Sequence, residues 1–231
     1  MLCALIQTGN YIRERKPAMS TAQDPRVFTY LTLRKSVGVI AFALPFAVAI
    51  PIFLVHRALE NSISSYYYTG SRNLFVGSLC AVAMFMFSCR GFDLRDEVAG
   101  IFSAICALGV AFFPTSPDCC ATKQQEHISA FHYTFAALLF LTLAYFCLVL
   151  FRMTAPGSTP TPKKLQRNRV YVACGLLILL SLLAIALTKL LGLKYSVFGL
   201  GPVFFFETTS LLAFGTAWLT KGEAILRDNP A

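Results

Sequence analysis

Charged residues are scarce in this chain of 231 residues: Asp, Glu, Lys and Arg together make up 13% of the sequence. An average soluble domain carries about 25% of such residues. Hydrophobic residues make up 56%, so polar groups cannot cover the surface. The shortage of charge excludes an ordinary soluble globular domain and predicts a chain whose surface faces lipid.

Several motifs of enzymes and nucleotide-binding proteins are also missing. The sequence has no P-loop, no glycine fingerprint of a dinucleotide-binding fold, no G-x-S-x-G elbow and no H-E-x-x-H. No apolar segment carries a series of charges, which disfavours a pump or an ion-coupled transporter. The net charge of +9 is spread between apolar segments, so we expect no nucleic-acid partner, and no pattern indicates a cofactor.

Six apolar runs predict an all-α, polytopic bundle of six transmembrane helices. Their lengths approach the roughly 20 residues that a membrane helix needs, and they lack the alternation of a membrane barrel. Small residues four apart, such as Gly77 with Ala81 and Gly100 with Ala104, favour close helix packing. The runs are Val37–Val55, Leu74–Ser88, Val98–Phe113, Ile128–Phe151, Val170–Leu193 and Val203–Leu219.

The domain organisation follows from these runs. We expect a cytoplasmic N-terminal tail over residues 1–35, a six-helix transmembrane domain over 36–221 and a cytoplasmic C-terminal tail over 222–231. The stretch 155–164, rich in Pro, Ser and Thr, is the one clear linker. Met19 opens a segment typical of a cytoplasmic leader, so it is an alternative start to Met1.

The distribution of Lys and Arg predicts which side each loop faces. Fifteen of the twenty lie in the two tails and in the loops after the second and fourth runs. The opposite side holds five, namely Arg57, Arg72, Lys123, Lys189 and Lys194. Because positive charge marks cytoplasmic loops, we expect both termini in the cytoplasm of a bacterial inner membrane.

The outer side then carries the residues that could form a site. His132 and Glu207 lie about five residues inside the fourth and sixth runs, and Arg72 lies at the start of the second. An ionisable side chain inside a membrane span is a functional hypothesis that needs a partner. We expect a polar pocket in which Glu207 pairs with Arg72. The alternatives for Glu207 are a purely structural ion pair or a side chain that reaches back to the lipid headgroups. The alternative for His132 is an inter-helix hydrogen bond.

The consecutive residues Tyr66, Tyr67 and Tyr68 precede the second run. Tyrosines at this position are typical of the aromatic belt at a membrane surface, with Phe204–Phe206 as a counterpart. The alternative is that the three tyrosines contribute to binding a lipid headgroup. We therefore include them with Arg72 among the candidate ligand-binding residues.

The same outer loops contain side chains that could ligate a metal ion. Competent ligands lie near one another in the sequence, but the two histidines are five residues apart and the cysteines are adjacent, whereas zinc ligands are usually spaced by two to four residues. The sequence therefore predicts no metal site, and a disulfide from these cysteines to another chain stays open. The residues are Asp118, Cys119, Cys120, Glu126, His127 and His132.

One block of the sequence resembles a known family. The segment YYYTGSRNLFVG, the later ALGVAFFPT and FAALLFLTLAYF, and the closing ETTSLLAFGTAWLTKGE are similar to the bacterial multi-pass membrane proteins grouped as domain-of-unknown-function family nine-nine-eight. The similarity spans about residues 32–223. It implies a six-helix bundle without an established activity, and a more distant similarity to DRAM-type six-helix proteins implies a connection with lipid.

Two functions remain after these observations. The first is a lipid-interacting or envelope-associated membrane protein with a polar pocket at its outer face. The alternative is a membrane-embedded hydrolase that acts on a lipid, with or without a metal ion. Bound metal at His127 and His132 would favour the hydrolase, whereas an apolar pocket with one satisfied ion pair would favour the first function.

Overall fold

A computed structural model describes residues 25–88, 94–117, 120–154, 157, 159–193 and 200–226, with side chains described from residue 31 onward. Every regular element in these segments is helical, which confirms the all-α prediction. Two short 3-10 helices, Ser64–Tyr68 and Leu150–Arg152, join the longer ones. The six α-helices are α1 (Pro25–His56), α2 (Arg72–Ser88), α3 (Leu94–Phe112), α4 (Lys123–Leu148), α5 (Pro162–Leu190) and α6 (Pro202–Lys221).

The helices pack in the order of the chain. Each one contacts the helix that follows it, and α6 closes the ring by packing against α1, with a smaller contact between α4 and α6. One end of the bundle holds the 3-10 helix Ser64–Tyr68 and the start of α6, and we call it the Ser64 end. The opposite end holds the end of α6, and we call it the Lys221 end.

Four segments are long and apolar enough to cross a membrane, as expected of a membrane protein. They are Leu31–His56, Lys123–Arg152, Pro162–Leu190 and Pro202–Lys221. The helix α2 is apolar but has 17 residues. The helix α3 has 19 residues, and its first turn contains Asp96 and Glu97, which shortens its uncharged part.

Glycines bring α1 and α6 into backbone contact. A Cβ atom added to Gly215 would lie 2.9 Å from the Gly38 carbonyl oxygen, and one added to Gly38 would lie 2.9 Å from the Leu219 backbone nitrogen. Close approach of this kind maximises dispersion contacts between the helices. Such contacts drive helix association in a bilayer, because lipid tails are as apolar as the helix surfaces and the hydrophobic effect does not contribute. Gly77, in contrast, has nothing within 4 Å of an added Cβ, so the predicted packing role of Gly77 is wrong.

Two helices begin earlier than the apolar runs predicted. The helix α1 already includes residues 25–35 of the expected tail, and α5 begins at Pro162, within the expected linker. The start of α5 has a local cause: the Thr161 side chain accepts a hydrogen bond from the Lys164 amide at 3.1 Å, and Pro162 occupies the first helical position. Both features stabilise a helix start. The linker therefore ends before Pro162.

Prolines are accommodated inside α1 without breaking it. Pro45 and Pro51 both lie within the helix. Near Pro51, the Val48 carbonyl accepts a hydrogen bond from the buried Ser71 hydroxyl at 2.8 Å. This bond fixes the loop before α2 against α1.

Candidate functional site

The segment Asn61–Tyr68 turns inward at the Ser64 end of the bundle. Ile63 and Tyr66 are buried, and Ser64 is 7% exposed. The Asn61 carbonyl oxygen accepts the Phe204 amide at 3.1 Å, so it bonds one of the free N–H groups at the start of α6. The segment is thus part of the packed end of the bundle rather than a loose surface loop.

The absence of a side chain at Gly201 allows this contact. A Cβ atom there would lie 2.9 Å from the Asn61 backbone oxygen and 3.1 Å from its side-chain oxygen. Any larger residue would push the inward segment away from the start of α6. Pro202 follows at the first position of the helix, where it needs no hydrogen-bond acceptor.

Glu207 bonds the start of the 3-10 helix Ser64–Tyr68. Its Oε2 accepts the Ile63 amide at 2.6 Å, and its Oε1 lies 3.4 Å from the Ser64 hydroxyl. A carboxylate at a helix start accepts free N–H groups and is stabilised by the helix dipole. Glu207 therefore obtains hydrogen-bond donors from the backbone and from a hydroxyl rather than from a cation within hydrogen-bonding distance.

His132 is bonded through both ring nitrogens. Nδ1 lies 2.6 Å from the Phe113 carbonyl oxygen, and Nε2 lies 3.0 Å from the Ser64 hydroxyl. The side chain is 1% exposed. Because a carbonyl can only accept, Nδ1 must carry a hydrogen, and Nε2 of the neutral ring is then an acceptor for Ser64.

The three side chains form one hydrogen-bonded chain, His132–Ser64–Glu207. The Ser64 hydroxyl has a single hydrogen. When it donates to neutral His132, the contact with Glu207 needs a protonated carboxyl; when His132 is protonated, Ser64 can donate to the Glu207 carboxylate. In both arrangements every contact is a hydrogen bond, and one proton is held either by Glu207 or by His132. The hydrogen-bonded chain can therefore transfer this proton between α4 and α6 through Ser64.

Arg72 is not part of this chain. Its Nη2 lies 2.6 Å from the Tyr67 hydroxyl, and its guanidinium carbon lies 4.2 Å from the centre of the Tyr67 ring. Among the described residues, Lys189 of α5 is the cation that acts electrostatically on Glu207. The expected ion pair between Arg72 and Glu207 is therefore wrong, because each residue uses a different local partner.

The three tyrosines have different environments. Tyr66 is fully buried and packs against Phe204, with ring centres 6.3 Å apart. Burial raises the pKa of Tyr66, and its hydrogen bond from the Glu60 amide lowers it by less. Tyr68 is 47% exposed and donates to the Thr115 carbonyl at 2.5 Å. Tyr66 is thus a core residue, Tyr67 is half-buried against the core, and Tyr68 is exposed.

The candidate metal ligands do not converge in the part of the chain that the structure describes. His127 and Cys120 are exposed, whereas His132 is buried. No group of three or more His, Cys, Asp or Glu side chains is placed to hold an ion within the described residues. Asp118 and Cys119 lie outside those residues.

Ser64 is the residue that the sequence did not single out. It lies among Ser62 and Ser65, which bond each other locally with 2.7 Å between their hydroxyl oxygens. No sequence pattern distinguishes the serine that faces inward from its neighbours. The position follows from the buried residues Ile63 and Tyr66 on either side of it.

Comparisons with known proteins leave the resemblance a prediction. No protein-family model, curated protein or solved structure matches the chain.

Proposed function

We propose that the chain is a bacterial inner-membrane protein of six transmembrane helices, related to the family of unknown function named above, with both termini in the cytoplasm. Its function in this proposal is to bind membrane lipid at the outer face, which is the Ser64 end. Large apolar side chains along α1 support contact with lipid tails: Phe46, Ile50 and Leu54 are 47%, 54% and 61% exposed. Their spacing of four residues places them on one side of the helix.

The geometry of Arg72 carries the lipid part of the proposal. The guanidinium is exposed at the first residue of α2, and Tyr67 holds it by a hydrogen bond and by ring contact. A guanidinium presents five donors, so donors remain for the phosphate of a headgroup. A side chain that is already held loses less conformational freedom when it binds.

Lipid retention by the purified protein tests the proposal. Native mass spectrometry in detergent should detect one phospholipid bound to the natural protein. Arg72→Gln should weaken the binding of this phospholipid about tenfold. Arg57→Gln is the matched control, because Arg57 is an exposed arginine at the same end, beside Phe53. Equal losses in both variants, or no loss in Arg72→Gln, would contradict the proposal.

A lipid hydrolase is the second candidate, and one contact favours it. The Ser64 hydroxyl lies 3.0 Å from His132 Nε2, and the Phe113 carbonyl orients the ring through Nδ1. This is the geometry of a nucleophile beside its general base. A fluorophosphonate probe should label the protein at Ser64 and not label Ser64→Ala. If intact protein in membranes is never labelled, the hydrolase candidate is wrong.

A further inference from the structure

Two cations at the Ser64 end lie on the faces of tyrosine rings. Lys189, in the last turn of α5, has its Nζ 5.2 Å from the centre of the Tyr133 ring of α4. Arg72 has its guanidinium carbon 4.2 Å from the centre of the Tyr67 ring. A cation over a ring centre is attracted by the negative face of the ring. Both positive charges are therefore held at fixed places by the protein itself.

Tyr68 lies near both of these rings. Its ring centre is 5.4 Å from that of Tyr67, and its phenol interacts electrostatically with Arg72 and with the Tyr133 phenol. The side chains of Tyr68 and Tyr133 are 47% and 45% exposed. The region therefore continues from the guanidinium on one ring to the ammonium on the other. We call it the Tyr68 surface, and it consists of Tyr67, Tyr68, Arg72, Tyr133 and Lys189.

A buried hydroxyl borders the Tyr68 surface. Thr115 is 5% exposed, and its hydroxyl oxygen has no hydrogen-bond partner in the described part of the chain. The backbone carbonyl of the same residue accepts the Tyr68 hydroxyl at 2.5 Å, so Thr115 lies directly beside Tyr68. Buried polar groups in native proteins nearly always have a partner. The Thr115 hydroxyl is therefore a hydrogen-bonding group for a ligand at this surface.

The donors of Lys189 point to the same kind of ligand. Its ammonium carries three N–H groups, and the side chain is exposed. Lys189 acts electrostatically on Glu207. The Glu207 oxygens, however, accept the Ile63 amide and lie beside the Ser64 hydroxyl. The hydrogen bonds of Glu207 are thus made inside the bundle, and the ammonium of Lys189 is left to face a ligand.

The occupied ring faces indicate the charge of that ligand. Proteins hold the quaternary ammonium of a choline headgroup against the faces of aromatic rings. On the Tyr68 surface, Arg72 and Lys189 already lie over two such faces, and both would repel a further cation. A headgroup without a cation of its own avoids this repulsion. Guanidinium and ammonium groups also form strong, charge-assisted hydrogen bonds with phosphate oxygens.

We propose that the phospholipid bound at the Ser64 end has a net negative charge, and that Lys189 and Thr115 bind its headgroup together with Arg72. This proposal rests on the proposed function, because Arg72 provides the first contact with the phosphate. Lys189 gives the preference for an anionic headgroup over choline. The Thr115 hydroxyl adds a hydrogen bond from a buried position, which fixes the headgroup beside Tyr68.

Binding of two lipids to the delipidated full-length protein tests the role of Lys189. Phosphatidylglycerol, which is anionic, and phosphatidylcholine, which is zwitterionic, are titrated separately and followed by native mass spectrometry. We expect the natural protein to bind phosphatidylglycerol more tightly. Lys189→Gln should weaken that binding about tenfold and change the affinity for phosphatidylcholine less than twofold. Lys189→Arg should keep the preference and serves if the glutamine variant does not fold.

The same titration tests Thr115 with two variants. Thr115→Val removes the hydroxyl at nearly constant size and should weaken phosphatidylglycerol binding about fivefold. Thr115→Ser keeps the hydroxyl and should bind like the natural protein. The bond from Tyr68 goes to the backbone of Thr115, so both variants retain it. Equal affinities in Thr115→Val and Thr115→Ser would show that the hydroxyl is not a ligand.

Lys123→Gln is the matched control for Lys189→Gln, since Lys123 is an exposed lysine at the same end, at the first residue of α4. A loss equal to that of Lys189→Gln would reduce the preference to general positive charge and overturn the proposal. If Arg72→Gln weakens both lipids while Lys189→Gln weakens neither, the proposed function stands and this inference is wrong. If Arg72→Gln weakens neither lipid, both are wrong. Inorganic phosphate that binds as tightly as phosphatidylglycerol would assign the site to a soluble anion and overturn the lipid assignment.

Discussion

At the scale of single residues, Glu207 and Ser64 explain why the Ser64 end is ordered. Glu207 accepts the Ile63 amide, and Ser64 lies between Glu207 and His132. Leaving a buried polar group without its partner costs about 1–3 kcal/mol. The inward segment Asn61–Tyr68 therefore depends on a few polar contacts in addition to the burial of Ile63 and Tyr66.

The first prediction concerns coupling within this chain. Ser64→Ala and Glu207→Gln should each lower the free energy of unfolding by about 1–3 kcal/mol, and the double variant should lose less than the sum because they share one contact. Ser62→Ala, which loses a local contact with Ser65, is the control. Thermal unfolding in detergent compares these four variants with the natural protein.

The same measurement separates this account from an ion pair. Losses in Arg72→Gln and Glu207→Gln should add within about 0.5 kcal/mol, since their hydrogen-bond partners differ. If the double variant of Arg72 and Glu207 recovers stability while that of Ser64 and Glu207 does not, the geometry described for the Ser64 end is wrong.

The second prediction follows from the raised pKa of Tyr66. Burial favours the neutral phenol, so the folded pKa exceeds the unfolded value of about 10. The stabilisation that depends on the neutral Tyr66 phenol is complete below about pH 10 and is lost as pH rises from about 10 through the folded pKa. Tyr66→Phe should lower the free energy of unfolding by about 1 kcal/mol at pH 7. Between pH 7 and pH 11, the free energy of unfolding of this variant should fall by less than that of the natural protein.

Thermal unfolding at both pH values measures this difference. Burial also raises the pKa of Tyr68, so Tyr68 accounts for part of the stability that is lost at alkaline pH. The variant that lacks both phenols should therefore show the smallest decrease in the free energy of unfolding between pH 7 and pH 11. An equal alkaline loss in the natural protein and in Tyr66→Phe would show that the buried phenol does not contribute.

At the scale of helices, the contact between α1 and α6 tolerates little change, because backbone atoms of one helix face glycines of the other. Gly215→Ala places a Cβ 2.9 Å from the Gly38 carbonyl oxygen, so the two helices must separate. We predict a loss of about 1–3 kcal/mol, typical of overpacking. Gly77→Ala has nothing within 4 Å and should be neutral or stabilise by up to about 1 kcal/mol. Thermal unfolding compares the two, and equal effects would contradict the close packing.

The sequence predicted the helices better than their starts or their contacts. Long apolar runs identify helix interiors, because membrane helices need continuous hydrophobicity. The start of α5 was missed, although Thr161 before Pro162 is a recognisable start signal. The pairing of Glu207 could not be predicted, because a backbone amide, which every non-proline residue has, took the place that a cation was expected to fill.

At the scale of the molecule, the helical bundle has two polar ends, and we propose that the helices between them face lipid. The Ser64 end carries Arg72 and the chain His132–Ser64–Glu207, and at the Lys221 end the side chains of Lys164 and Lys221 approach the Phe151 carbonyl. If α2 and α3 cross the membrane, the start of α3 is on the same side as the Lys221 end. If they did not cross, it would be on the side of the Ser64 end and the chain would span the membrane four times, but Asp96, in the first turn of α3, acts electrostatically on Lys221.

Cysteine accessibility at Leu94 distinguishes these topologies most directly. Leu94 is the first residue of α3 and is 71% exposed. In protein with Cys3, Cys89, Cys119 and Cys120 replaced by serine, Leu94→Cys is treated with a membrane-impermeant maleimide in spheroplasts. Restored Cys120, which is exposed, is the outer control, and Ala224→Cys is the inner control. The account predicts that Leu94→Cys, like Ala224→Cys, reacts only after permeabilisation, whereas labelling in intact spheroplasts alongside Cys120 would contradict the six-helix topology.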